Sequence, residues 1–284
     1  MSDTLYHYCS IETLLKIIQN KTIRISDVRK MNDYAERRWI YQEFISCFHS
    51  DSFLQQINDE KKEEVKLALE HITSFWESYL LPGGSYPEYV FCLSGKGDVL
   101  SHWRGYGDDG YGVAIGFRKE TLEKLLSDEH PCFRITKIDY DGQQQIQTVS
   151  KRIIEDINHD RLAGEPLSQF FISQMRCDSV TMKNPAFSEE NEWRLIFSPN
   201  ECSSPENAFS QNQFYISKLL YRPHKNKFVG YRDINFNYYC KEIFDEIYLG
   251  PKSKIDPHTD MVEILHHNGF ESSIPVHKSS ATYE

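Results

Sequence analysis

The stretch SEENEWRLIF, residues 188–197, sets Glu189, Glu190 and Glu192 beside Trp193 and Arg194 at the start of an apolar run. In a strand, successive side chains point to opposite faces. Glu190, Glu192 and Arg194 are therefore expected on one face, with Trp193, Leu195 and Phe197 on the other. Acids on alternate residues repel unless a cation, a ligand or a raised pKa relieves them, and strain of this kind concentrates at functional sites. The chemistry on offer is that of a carboxylate pair; the alternative is a solvated strand face with a screened ion pair.

Three further stretches carry chemistry-bearing residues. His7 stands between Tyr6 and Tyr8 and faces away from both, as a core histidine bonded to backbone or as a neutral imidazole able to hold a ribose hydroxyl. MNDYAE (31–36) sets Asn32, Asp33 and Glu36 between a strand and a helix, where helix capping competes with a ligand role. LSHWRGYGDDGYGVAIGF (100–117) gathers His102, Trp103, Arg104, Tyr106 and Tyr111 among glycines, either as a hairpin whose aromatics seal the core or as a ligand loop. These glycines match neither a dinucleotide fingerprint nor a Walker loop.

Other chemistries lack their patterns. There is no G-x-S-x-G elbow, no H-E-x-x-H and no C-x-x-C pair, so neither a nucleophilic serine nor a metal centre is expected. Cys9 and Cys92 lie in apolar strands, where a thiolate is disfavoured. The seven scattered cysteines read as reduced thiols. A net charge of −10 opposes non-specific binding to nucleic acid, and no basic run stands out. No leader and no span of roughly 18–20 apolar residues is seen, so no membrane role and a cytoplasmic location are expected.

The elements that must position these residues interleave. TLYHYCS reads as a strand, Ser10 as the cap of a helix over 11–20, and 21–26 as a second strand. Apolar stripes over 35–48 and 65–79 predict two helices, and LPGGSYP (81–87) punctuates the chain before the strand YVFCLS. Strands are expected at 110–117, 133–140, 192–197, 213–221 and 242–250, helices at KETLEKLL, around 149–157 and over 170–176, and a frayed tail at SSATYE. Without a regular βαβ beat, the expectation is one elaborated α+β domain over 1–284, with a helical insertion at about 34–81 and C-terminal strands at about 213–250.

The blocks LYHYCSIETLLKIIQNKTIRISDVRKMND, FCLS, LSHWRGYGDDGYGVAIGF and KNPAFSEENEWRLIF resemble, in this order, an uncharacterised bacterial domain family. More remotely, the opening resembles the first strand and helix of ADP-ribosyltransferases, particularly the toxins that modify thymidine in DNA. That resemblance implies a split β-sheet core with helices inserted between strands and NAD as substrate, with no metal. It implies ADP-ribosyl transfer to a macromolecular acceptor, nucleic acid or protein, or NAD hydrolysis, in bacterial defence or as a toxin effector. By position, Glu192 becomes the catalytic acid, Glu190 its upstream partner, His7 the ribose-holding residue and Tyr106 or Tyr111 the ring that stacks on nicotinamide. Ser10, Arg24, Asn32, Ser94 and Arg104 complete the implied cofactor contacts, the arginines suiting pyrophosphate. The family's central Ser-Thr-Ser element is missing, with CLS (92–94) in its place. The rivals are a non-catalytic module sensing a nucleotide or a partner protein, and a metal-dependent nuclease using Asn32, Asp33, Glu36 and Glu190; a partner protein or a homo-oligomer is among the expected partners.

Overall fold

Thr4–Cys9 (β1) folds as the alternation requires: Leu5 and Cys9 are buried on one face, and Tyr6 and Tyr8 occupy the other. Ser10 then caps helix α1 (Ile11–Asn20), its side chain accepting from the Thr13 N–H at 3.2 Å. The helix buries Leu14, Ile17 and Ile18 and ends at Lys21, whose left-handed backbone (φ 51°) turns the chain into β2 (Thr22–Asp27). This computed structural model describes residues 4–30, 34–80, 87–126, 132–162, 164–199 and 215–283.

Helices α2 (Tyr34–Phe48), α3 (Asp51–Leu54) and α4 (Lys62–Leu80) follow, then β3 (Tyr89–Ser94), α5 (Leu100–Gly105), β4 (Val113–Arg118) and α6 (Lys119–Leu126). Next come β5 (Phe133–Lys137), α7 (Gly142–Asn158), α8 (Leu167–Ser179) and β6 (Glu192–Phe197). The chain closes with β7 (Tyr215–Ile216), β8 (Leu220–His224), β9 (Lys227–Asn235), β10 (Phe244–Leu249), α9 (Asp260–His267) and β11 (Val276–Lys278). The fold is mixed α and β, and its packing divides it into two compact units. One comprises residues 1–27, 88–136 and 190–284, the other residues 28–87 and 137–189.

The first unit is built on a large, mostly antiparallel sheet ordered β11-β10-β4-β1-β3-β2-β9-β7, with β6 also paired to β3, β5 to β6 and β8 to β9. Its centre is β3. On one edge β3 pairs with β6 along its full length, from Tyr89↔Phe197 to Ser94↔Glu192. On the other edge it meets β1 at Ser94 and β2 at Tyr89 and Val90, so two strands share that edge and diverge between these points. One face of the sheet carries the main core, including Leu5, Ile23, Ile25, Phe91, Leu93, Phe117, Leu195 and Phe197. The opposite face carries a smaller cluster of Tyr8, Trp103 and Ala114. The second unit packs α2, α3, α4, α7 and α8 around Phe44, Phe48, Leu69, Ile153, Phe171 and Met175.

Several expectations are corrected. LSHWRG is a helix rather than one arm of a hairpin, because Trp103 is fully buried against Tyr8, their ring centroids 4.9 Å apart. Of the predicted strand 213–221, residues 213 and 214 lie outside the described residues and the rest holds β7 and the start of β8; β9, the longest strand among the described residues, was not predicted. The second of the two compact units is helical and reaches beyond the expected insertion at about 34–81. Among the described residues five cysteines form no disulfide, but Cys132 is disulfide-bonded, against the expectation of thiols throughout.

The tail is not frayed. Asp98 accepts from Trp103 Nε1 (2.7 Å), Ser279 Oγ (2.5 Å) and both the N–H and Oγ of Ser280 (2.7 Å each), and Tyr283 donates to Asp109 at 2.6 Å.

This packing makes two outcomes measurable. Phe117 is fully buried between the Phe91 and Phe244 rings, so Phe117→Ala is expected to cost about 3–5 kcal/mol, read as a lower urea midpoint at unchanged slope. Burial alone would raise the Asp98 pKa, but its hydrogen bonds hold it below the usual range. The stabilisation is therefore complete above the unfolded value of about 3.9 and lost as pH falls through the lowered one. Hydrogen exchange at residues 279–283 should accelerate in that acid window, and in Asp98→Asn already at neutral pH.

Candidate functional site

The register of the sheet decides which polar side chains meet. Glu246 on β10 lies opposite Gly116 on β4, Gly116 opposite Tyr6 on β1, Tyr6 opposite Ser94 on β3 and Ser94 opposite Glu192 on β6. These five residues form one row across five strands. Because directly opposed residues share a face, Tyr6, Ser94 and Glu192 project to the side away from the main core. Gly116 has to be glycine: a Cβ there would stand 2.9 Å from the Glu246 carbonyl oxygen and from Thr4 Cγ2. The Tyr6 hydroxyl donates across it to Glu246 Oε1 at 2.5 Å, and His277 Nε2 lies 3.0 Å from Glu246 Oε2. Burial and the bond to Glu246 both push the Tyr6 pKa up, so its hydroxyl stays a donor.

At the other end of the row, Glu192 and Arg194 share a strand face and form a two-point pair, Nε to Oε1 at 2.8 Å and Nη2 to Oε2 at 3.1 Å. Both side chains are buried, at 6 % and 3 % exposed. A buried carboxylate is tolerated here because the guanidinium supplies charge and fork geometry together. The expected row of Glu190, Glu192 and Arg194 is corrected at its first member. Glu190 is the last residue of a 3-10 helix (Pro185–Glu190), and Asn191, in the left-handed region at φ 42°, resets the backbone before β6 begins.

Glu190 nevertheless joins the site. Its carbonyl accepts from Ser94 Oγ at 2.9 Å and from His102 Nε2 at 3.1 Å, and its carboxylate accepts from the Tyr106 hydroxyl at 2.8 Å. Tyr106 is half exposed, whereas Ser94 and His102 are buried. Tyr8 stacks on His102, ring centroids 4.9 Å apart, and bonds the Lys96 carbonyl and Val99 N–H, which locks the loop after β3. The structure thus brings together Ser94, Glu190, Glu192 and Tyr106, and adds Tyr6, Arg194 and His102.

It does not bring in the others. His7 lies on the core face, opposite in sense to Tyr6, Ser94 and Glu192. It stacks on Phe91 at 4.2 Å, and its Nδ1 donates to the Cys92 carbonyl at 2.9 Å. Ser10 is committed to its helix cap. Arg24 pairs with Asp233 at 3.1 Å and lies 3.8 Å over the Tyr231 ring. Arg104 faces the Tyr283 ring at 4.9 Å, and Tyr111 has Lys252 Nζ 5.5 Å from its ring centre. Asn32 and Asp33 lie outside the described residues, as does the side chain of Glu36. Among the described residues, no group of three His, Cys, Asp or Glu is placed to hold a metal ion. Nor is any described helix long and apolar enough to cross a membrane. Burial pushes the Cys9 thiol up to about 12, in line with an inert strand cysteine.

Tyr6 was missed because the resemblance points to the histidine beside it. The bridge Tyr6↔Ser94, which selects the Tyr6 parity over that of His7, is a long-range pairing that the local sequence does not carry.

Burial pushes the His7 pKa down to about 4, the bond to Cys92 opposing the shift in part. Between about 6.5 and that value the unfolded chain takes up a proton that the folded protein refuses, so stability falls as pH falls, by at most about 1.4 kcal/mol per pH unit. His7→Gln, which retains a donor but does not titrate, is expected to flatten this slope in urea titrations from pH 7 to pH 4.

The family described as "Protein of unknown function (DUF2971)" matches residues 102–195. No curated protein matches the chain. No solved structure matches it either. The matched segment runs from His102, in the helix that leads into Tyr106, to Leu195, just past the Glu192–Arg194 pair. The matched segment contains His102, Tyr106, Glu190, Glu192 and Arg194 of the site.

Proposed function

We propose that the row Tyr6–Ser94–Glu192 is the ribose end of an NAD-binding cleft, and that the protein transfers ADP-ribose from NAD to a macromolecular acceptor or to water. The observation that carries this reading is the order β1-β3-β6, with one polar residue from each strand on a single register row. The divided edge of β3 also suits the split sheet of ADP-ribosyltransferases, whose site residues come from three such strands.

The roles differ from those implied by sequence position. Tyr6 replaces His7 as the first-strand group, because His7 faces the core. Ser94 stands where the family carries its central serine element. Glu192 is the acid, oriented by Arg194 through the two-point pair. Bound NAD would supply a ribosyl centre that becomes positive as nicotinamide leaves, and a fixed carboxylate in a water-poor site stabilises such charge. Tyr106, held by Glu190, offers an exposed ring beside the row. Arg24 and Arg104 are engaged elsewhere, so no pyrophosphate contact is assigned to them.

One observation favours a second reading. The Glu192–Arg194 pair is buried, as suits a module that senses a nucleotide or partner without turnover.

The test is incubation with NAD labelled on its adenylate, with and without EDTA, reading label transfer and nicotinamide release. Glu192→Gln leaves Arg194 buried beside a neutral amide, at a cost of about 3–5 kcal/mol if the pair is simply broken. Glu192→Asp is the cleaner variant. It keeps the charge paired but withdraws the carboxylate, and a misplacement near 1 Å is expected to lower turnover about 100-fold, with NAD still raising the melting temperature. EDTA-resistant turnover lost in Glu192→Asp supports the transferase or hydrolase. A melting shift without turnover supports the sensing module, and neither effect discards the cleft.

A further inference from the structure

The strands β8 and β9 form a hairpin joined by Lys225 and Asn226, with His224 opposite Lys227. Pairing of β9 with β2 covers Tyr231 to Asn235, so from Lys227 to Gly230 the hairpin runs past β2 as a two-stranded ribbon. Residues 218–232 contain Lys218, Arg222, Lys225, Lys227 and Arg232 and no Asp or Glu, in a chain whose net charge is −10. This basic run is inconspicuous in the sequence, since its cations are separated by aromatic, apolar or neutral residues.

The register sorts the ribbon into two faces. Leu220, Arg222 and His224 share one with Lys227, Val229 and Tyr231, and Arg24 on β2 joins them through the pair Arg24↔Asp233. Tyr221 and Pro223 share the other with Phe228 and Gly230. Tyr221 and Phe228 are 61 % and 67 % exposed, on diagonal positions of one face. Lys218, Lys225 and Lys227 are exposed as well. Asp233 neutralises Arg24, but among the described residues no ion pair engages Lys218, Arg222, Lys225 or Lys227. The pKa values of Arg222 and His224 are both pushed down, first by burial and then by neighbouring cations: Arg24 for the former, Arg222, Lys225 and Lys227 for the latter. The cations thus repel one another, a cost that an anionic ligand would relieve.

We infer that this ribbon is a binding surface for single-stranded nucleic acid. The nucleic-acid strand lies along β8, its phosphates on the half-buried Arg222 and the exposed Lys225 and Lys227 and its bases against Tyr221 and Phe228. Phosphate attraction combined with exposed rings is the usual physics of sequence-tolerant strand binding, since every base offers a stacking face. A membrane surface fits less well, because the leading tip is Lys225–Asn226 and insertion would drive charge into lipid ahead of Phe228. The inference is independent of the Glu192 row, since its readout is binding rather than NAD turnover.

The experiment is fluorescence anisotropy of labelled dT20 and U20 with the full chain across a salt series. Lys225→Glu/Lys227→Glu and Tyr221→Ala/Phe228→Ala alter exposed side chains, and thermal melting checks that both variants fold. The charge variant is expected to bind at least tenfold more weakly and to reduce the slope of log K against log salt by about 1.4, since two lysines no longer neutralise phosphates. The aromatic variant is expected to bind at least about fivefold more weakly with the slope unchanged. Both oligonucleotides should bind comparably, because phosphate attraction and base stacking are common to DNA and RNA. Absence of binding at low salt, binding indifferent to both variants, or capture only by anionic phosphatidylserine vesicles or an acidic peptide would each overturn the proposal.

Discussion

Everything in the sheet unit is referred to the ladder between β3 and β6. It pairs all six residues from Tyr89 to Ser94 with Phe197 to Glu192, and so fixes which side chains of both strands face the core. A shift of one residue would send Leu195 and Phe197 to the polar side and bury Glu192 and Arg194 in hydrocarbon. The aromatic stack of Phe197 on Phe133 and the packing of Tyr89 against Phe197 hold the register from the apolar side. Because β1 meets β3 only at Ser94, the position of Tyr6 depends on that register too.

The same constraint creates an electrostatic tension at the site. Glu192 can be buried only because Arg194 is two residues away on the same face, and the pair is worth less as a stabiliser than as a way to keep a charge out of water. A carboxylate so held is rigid and oriented. Its geometry suits a group that must stay ionised in a confined place, and the same bonds limit how far it can move toward a ligand. Glu246 at the far end of the row is the contrast: it is partly exposed and held by a neutral phenol and a histidine rather than by a guanidinium.

Much of this was legible in the sequence where local rules govern. β1, the Ser10 cap, α1, β3 and β6 follow from alternation, spacing and capping chemistry, and EWRLIF announces its own buried face. The site was legible in part: Glu192, Ser94, Glu190 and Tyr106 were singled out, and the structure groups them. What failed depended on long-range pairing. His7 and Tyr6 are adjacent in sequence, and only the bridge between β1 and β3 tells which of them faces Glu192. Asn191 breaks the alternation at Glu190 through a backbone conformation that an asparagine permits but does not announce. Arg24 and Arg104 satisfy the general preference of guanidinium for phosphate, yet each has an intramolecular partner contributed from more than 170 residues away.

The position of β1 in the sheet has a further consequence. The first strand is an inner one, flanked by β4 and β3, while β4 takes its other partner, β10, from more than 120 residues later, and β2 takes β9 from about 200 residues later. β1 therefore waits for strands synthesised more than 120 residues later before its neighbours are complete. Until Phe244–Leu249 arrives, Val113–Phe117 presents an uncovered apolar edge. A topology so dominated by distant pairings folds slowly and exposes strand edges on the way.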